Sequence, residues 1–179
     1  PRWSSTPHTH GDRRMSKIYV DEIAGIASAD TVAIPGHVIQ VVNSNIAGNS
    51  DSTTGTAWVD SNLTINITPK FATSNIYIVA NGGVGVNAGS SHSRCDLRLR
   101  EDNSSTVLNY KTYIGIDSSS INHRMQYSLT GYFECSSTSA LTFTVQARMA
   151  GGSTTQASRI YYNWYDDGTN VITAMEIAG

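Results

Sequence analysis

The sequence predicts an all-β protein: an antiparallel β-sandwich of jelly-roll type, about eight to ten strands, with an extended N-terminal arm. Three observations carry this. Apolar and polar residues alternate with period 2 from residue 37 to the end, in runs broken by polar turn clusters. No window repeats with the period of a helix of ordinary length. Composition also favours strands, because Ile, Val, Thr and Tyr are plentiful while Glu, Lys and Leu are scarce.

Charge and length narrow the class. Only 15% of the 179 residues are charged, and the lysines are Lys17, Lys70 and Lys111 alone. Ser, Thr and Asn supply the polarity instead, with 23, 19 and 13 residues. A net charge of -2 offers no basic excess for a phosphate backbone, which argues against nucleic acid as a partner. No apolar run approaches the roughly 18 residues of a membrane span, and no charged-then-apolar leader occurs, so membrane insertion is not expected. The length suits one domain with a real core.

Residues 1–36 read as an N-terminal arm and anchoring segment, and residues 37–179 as the sandwich. Pro1 to Arg14 has two prolines and three arginines and no periodicity. Met15-Ser16-Lys17 looks like a translation start, so a vector remnant, an upstream extension and a genuine arm all fit the residues before it. Two short apolar pieces follow, carrying Ile18, Val20 and Ile23, then Val32 and Ile34, closed by Pro35-Gly36. Neither is long enough to stand alone. They read as extended segments that anchor on a partner surface.

The strands then come in order. Val38 to Val42 is largely apolar on both faces, and Ser50 to Gly55 is a polar loop. Leu63, Ile65 and Ile67 alternate with Asn62, Thr64 and Asn66, ended by Pro69-Lys70. Ile76, Ile78 and Ala80 form a strand expected to end at Asn81-Gly82-Gly83, with the glycine-rich stretch to Asn87 read as a mobile loop. Cys95, Leu97 and Leu99 oppose Asp96, Arg98 and Arg100, before the Asp102-Asn103-Ser104 turn. Alternation is cleanest from Arg124 to Cys135 and again from Leu141 to Met149. Ile160, Tyr162 and Trp164 form a strand closed by Asp166-Asp167-Gly168. The last run, Val171 to Ile177, is apolar except for Thr173 and Glu176. A strand apolar on both sides needs cover on its outer side too, and a subunit contact supplies it. Val171, Met175 and Ile177, with Tyr162 and Trp164, are therefore the expected oligomer interface.

Little in the chain reads as chemistry. His8-x-His10-x-Asp12 has the compact spacing of metal ligands, but one chain lacks a full ligand set, so no metal is expected. His37, His92 and His123 stand alone, with no nucleophile elbow. The glycine-rich stretch lacks the Gly-Lys-Ser/Thr of a phosphate loop. Asp166-Asp167 reads as a hairpin turn rather than a calcium or acid–base pair. Asn62, Asn66 and Asn103 match the glycosylation pattern but read as ordinary strand and turn residues. Cys95 and Cys135 sit on apolar sides, as free thiols or as one bridge. Tyr110, Tyr113, Tyr161 and Tyr165 are binding candidates, with subunit packing the favoured use. The chain carries no enzyme signal, and no catalytic residue or cofactor is expected.

The order of segments resembles short virion proteins of tailed marine bacteriophages. The likeness rests on Met15-Ser16-Lys17-Ile18-Tyr19-Val20-Asp21-Glu22-Ile23, Pro35-Gly36-His37-Val38-Ile39-Gln40, Trp58-Val59-Asp60, and Leu63 through Thr68-Pro69. Ser74-Asn75-Ile76-Tyr77-Ile78 and the ending Met175-Glu176-Ile177 complete it. It runs from Met15 to Gly179 and leaves Pro1 to Arg14 without a counterpart. The resemblance implies a fibre- or appendage-like structural protein with the trimeric jelly roll of tumour-necrosis-factor and complement-type heads. It would assemble in the bacterial host cytoplasm, join other phage virion proteins through its N-terminal arm, and display its head outward. Capsid decoration and a lectin-like module that takes host surface glycan are the alternatives.

Overall fold

The computed structural model describes residues 34–47, 51–87, 93–116, 122–150, 159–162 and 169–179. They fall within the second of two compact units, Ala33–Gly179; the first, Pro1–Val32, lies outside them. The arm and the proposed anchors Ile18, Val20, Ile23 and Val32 thus lie outside the described residues, as do His8 and His10. Ile34 is exposed, and its carbonyl accepts from His37 N to close the turn at Pro35-Gly36.

The alternating runs form ten strands: β1 (Val38–Ala47), β2 (Asp51–Thr53), β3 (Val59–Ile67), β4 (Asn75–Asn87) and β5 (Ser93–Glu101). β6 (Thr106–Ile116), β7 (Asn122–Glu134), β8 (Leu141–Ala150), β9 (Arg159–Tyr162) and β10 (Thr169–Ile177) complete them. One sheet has the order β1-β10-β4-β9-β2, with β7 on the other edge of β4; the second has the order β3-β8-β5-β6. All the pairings are antiparallel. The chain crosses repeatedly between sheets, and the eight principal strands wind as β1-β10-β4-β7 over β3-β8-β5-β6. This is a jelly-roll sandwich, as the alternation predicts.

Inward residues from both sheets fill the space between them. Ile76, Ile78, Leu129 and Ile172 meet Leu63, Leu97, Leu99 and Phe143, all with no measurable exposure. Phe133 and Phe143 join the sheets edge to face, with ring centroids 5.8 Å apart. Gly131 lies within this core because a Cβ there would stand 2.8 Å from Leu99 Cδ2 and 2.9 Å from Leu108 Cβ. Most of the hydrophobic stabilisation therefore rests on positions that the period-2 pattern marks in advance.

Two local features depart from the pattern. β4 does not end at Gly82-Gly83 but runs on to Asn87, paired with β7 throughout and with β9 over its last four residues. The glycine-rich stretch is therefore a strand and not a loop. Its glycines answer a close approach: a Cβ on Gly82 would lie 2.7 Å from the Tyr127 hydroxyl and closer still to Asn170 Oδ1, which accepts from Gly83 N at 2.7 Å. In β3 the register with β8 shifts between Asp60 and Thr64, where Asn62 takes a φ of 60°.

A buried carboxylate pins the end of the sandwich where the chain terminates. Glu176, on the core side of β10, has no measurable exposure. It accepts from the backbone N–H of Lys70 at 2.8 Å and of Phe71 at 3.3 Å, and from the Gln40 amide. That amide also donates to Thr68 O at 2.7 Å. One side chain thus ties β10 to β1 and to the β3–β4 connection, and Gly36 N and Ala178 N bond across the same end.

Candidate functional site

The outward face of the larger sheet is built by register. Reading across β1, β10, β4 and β7, the first row is Val38, Ile177, Asn75 and Glu134, and the next is Val41, Met175, Tyr77 and Tyr132. A shift between Val38 and Gln40 turns both Val38 and Val41 outward, which simple alternation forbids. The following rows are Asn43, Thr173, Val79 and Thr130, then Asn45, Val171, Asn81 and Ser128. The face is apolar near the chain terminus and carries small amides and hydroxyls beyond it.

That apolar part is unusually bare for β-sheet. Val38 is 54% exposed, and Val41 and Tyr132 are each 52% exposed, while Val171, Met175 and Ile177 are half-buried. Covering a half-exposed side chain of this size gains about 1 kcal/mol, so Val41 and Tyr132 together favour cover by about 2 kcal/mol. Of the residues expected at the interface, three are described at side-chain level. Val171, Met175 and Ile177 share this face; Tyr162 lies in β9 with its side chain outside the described residues, and Trp164 lies outside them altogether.

The outward face of the smaller sheet is different in kind. Trp58, just before β3, lies against the guanidinium groups of Arg98 on β5 and Arg148 on β8, at 4.3 and 4.6 Å from its ring centroid. It also packs edge to face with Tyr110 on β6, ring centroids 5.6 Å apart. Asp96 accepts from Arg148 Nε at 2.9 Å and from the Tyr110 hydroxyl at 3.0 Å, and that hydroxyl accepts from Arg148 Nη2 at 2.8 Å. Gln146 joins Arg98 to Asp60. This layer buries polar residues that alternation places in solvent: Asp96 is 3% exposed, Thr144 4% and Gln146 5%. Tyr110 therefore belongs to a polar network and not to an apolar packing face. Tyr113, Tyr161 and Tyr165 are not described at side-chain level.

The two cysteines are free thiols, Cys95 buried and Cys135 half-buried, so no bridge joins them. Burial and then the neighbouring Asp96 carboxylate push the Cys95 thiol up to about 12. Burial and then Glu176 push Cys135 up to about 11. A thiol raised in the folded state stabilises fully below its unfolded value near 9 and loses that contribution as pH rises towards the folded value. Folding stability is expected to fall by about 1.4 kcal/mol per pH unit above pH 9 through Cys95 alone. Urea unfolding at pH 8.5, 9.5 and 10.5 checks this, with a shallower decline expected for Cys95→Ala.

Among the described residues no group of three or more His, Cys, Asp or Glu is placed to hold a metal. No described helix is long and apolar enough to cross a membrane.

No family model matches the chain, and no curated protein matches its sequence. Solved structures do share its shape in part. An insecticidal delta-endotoxin, Cry8Ea1 from Bacillus thuringiensis, is 11% identical over 73% of this chain, with a TM-score of 0.41. The VP2 subviral particle protein of infectious bursal disease virus is 11% identical over 97%, at 0.38. Eiger TNF from S. frugiperda is 11% identical over 77%, at 0.35. The chain spans 20% of the toxin's length, 41% of the viral protein's and 93% of the TNF's. Likenesses this distant carry no assignment, and the jelly-roll description rests on the strand order itself.

Proposed function

We propose that this chain is a non-enzymatic structural subunit of a virus particle: a homotrimeric, fibre- or appendage-like component of a tailed bacteriophage. Three copies pack through the apolar outward face of the β1-β10-β4-β7 sheet. The residues before Ile34 join other virion proteins, and assembly takes place in the bacterial host cytoplasm. The observation that carries the reading is the apolar row Val41, Met175, Tyr77 and Tyr132, more than half of it open at Val41 and Tyr132. Packing of further copies about a threefold axis would cover such a row.

Topology gives the subunit a direction. β1 begins and β10 ends at the same end of the sandwich, where the β3–β4, β5–β6 and β7–β8 connections also run. The described chain therefore begins at this end, at Ile34. β4, β6 and β8 finish at the opposite end, and β10 begins there. A head anchored through its N-terminal side would present that far end outward.

Localisation on the particle tests this. Labelled protein is expected at a few sites, on the tail or at a vertex. A label spread evenly over the capsid shell would overturn the fibre reading in favour of a decoration protein, and absence from purified particles would overturn the virion reading.

A further inference from the structure

The sheet turned away from the proposed assembly face carries a second surface, independent of that reading. Arg94, Arg98 and Arg100 of β5 and Arg148 of β8 stand on its outward side. Arg148 pairs with Asp96 and Arg100 pairs with Asp102, each at 2.9 Å. Arg98 is different. Its Nε donates to the neutral Gln146 Oε1 at 2.7 Å, and among the described residues no carboxylate pairs with it and no acceptor meets its Nη atoms. Burial, then the neighbouring Arg100 and Arg148, weaken its hold on its proton, with Tyr110 and the Asp60 carboxylate acting in the opposite direction.

Arg98 is also held still. Trp58 lies 4.3 Å away and Gln146 fixes its Nε, so little freedom remains to be lost on binding. Its cross-strand neighbour is Tyr110, 43% exposed. The Tyr110 ring cannot swing away, because its hydroxyl donates to Asp96 and accepts from Arg148. The exposed Asp60 stands on the same face, held through Gln146.

A fixed guanidinium whose Nη donors meet no acceptor among the described residues, beside a fixed, exposed aromatic ring, is a matched recognition pair. The guanidinium suits a carboxylate, which it can grip through two parallel hydrogen bonds. The ring suits the C–H face of a sugar, and Asp60 can accept from sugar hydroxyls. We infer that this face binds an acidic sugar, a pyranose ring bearing a carboxylate, with Arg98 on the carboxylate, Tyr110 against the ring and Trp58 positioning Arg98.

The test is calorimetric titration of the intact protein at 0.15 M salt with oligogalacturonate, neutral dextran oligosaccharide and dextran sulfate. Oligogalacturonate is expected to bind and dextran not to. Arg98→Gln should weaken binding at least tenfold, and Arg98→Lys should weaken it nearly as much, because an ammonium cannot form the paired grip. Arg100→Gln should stay within about twofold of the parent. Unchanged thermal unfolding of Arg98→Lys separates lost contact from lost fold. No binding of oligogalacturonate, equal binding of dextran sulfate, or full binding by Arg98→Gln would each overturn the inference. Sedimentation of the same samples reports assembly separately, so failure here and failure of the trimer are distinguishable.

Discussion

Met175→Asp is expected to convert the proposed trimer into folded monomers. Met175 lies mid-row on the outward face, flanked by Val41 on β1 and Tyr77 on β4, both brought opposite it by register. In a trimer packed through this face, the new carboxylate would be taken out of water beside apolar partners, at a cost of several kcal/mol for each copy. Cyclic symmetry repeats that penalty three times in one assembly. The fold should survive, because the inward neighbours Ala174 and Glu176 are untouched and Met175 itself is only half-buried. Asn66→Asp is the control. It adds the same charge to an exposed position of the other sheet, where Asn66 accepts from Thr142 and a carboxylate can do the same. Sedimentation velocity should show Asn66→Asp at the parent mass and Met175→Asp at the mass of one chain, with circular dichroism unchanged in both. A Met175→Asp protein that kept the parent mass would remove β10 from the interface.

Glu176→Leu should produce the largest loss of stability in the outer turns of the sandwich. The substitution looks favourable on paper, since it places an aliphatic chain in a fully buried site. Yet it strips acceptors from the N–H groups of Lys70 and Phe71 and from the Gln40 amide. Each donor left without a partner costs about 1–3 kcal/mol, partly relieved where water reaches Lys70, so a net loss of about 3 kcal/mol is expected. Glu176→Gln keeps one carbonyl oxygen for the two backbone donors and should lose roughly a third as much. Urea unfolding at pH 7 checks the order parent, Gln, Leu. Equal stability of parent and Glu176→Leu would mean that the carboxylate does not tie β10 to the β3–β4 connection.

The fold is legible in the sequence wherever a strand keeps strict alternation. From Cys95 to Leu99, and from Met125 to Cys135 apart from the outward Tyr132, the apolar set is the inward set. Legibility fails where contacts distant in sequence override the local signal. Gly82-Gly83 has the composition of a turn, but its glycines serve Asn170 and Tyr127 on two neighbouring strands. The lone acid of the last strand reads as an interruption because its partners lie more than a hundred residues earlier. β1 and β10 both read as apolar on two faces, but the register shift that turns Val38 and Val41 to the same side is not visible locally, so the row that Val41 completes with Met175 is only half legible. The platform on the other sheet is invisible locally. Trp58, Arg98, Tyr110 and Arg148 come from four separate segments, and only the pairing of β5 with β6 and β8 brings three of them together.

The account rests on one claim: that the bare face of the larger sheet is covered by further copies of the same chain. Sedimentation equilibrium of the intact protein, across a hundredfold range of concentration, measures this directly. The account predicts a single species of three times the 19.3 kDa chain mass that persists to the lowest concentration. A single species at 19.3 kDa throughout would contradict it.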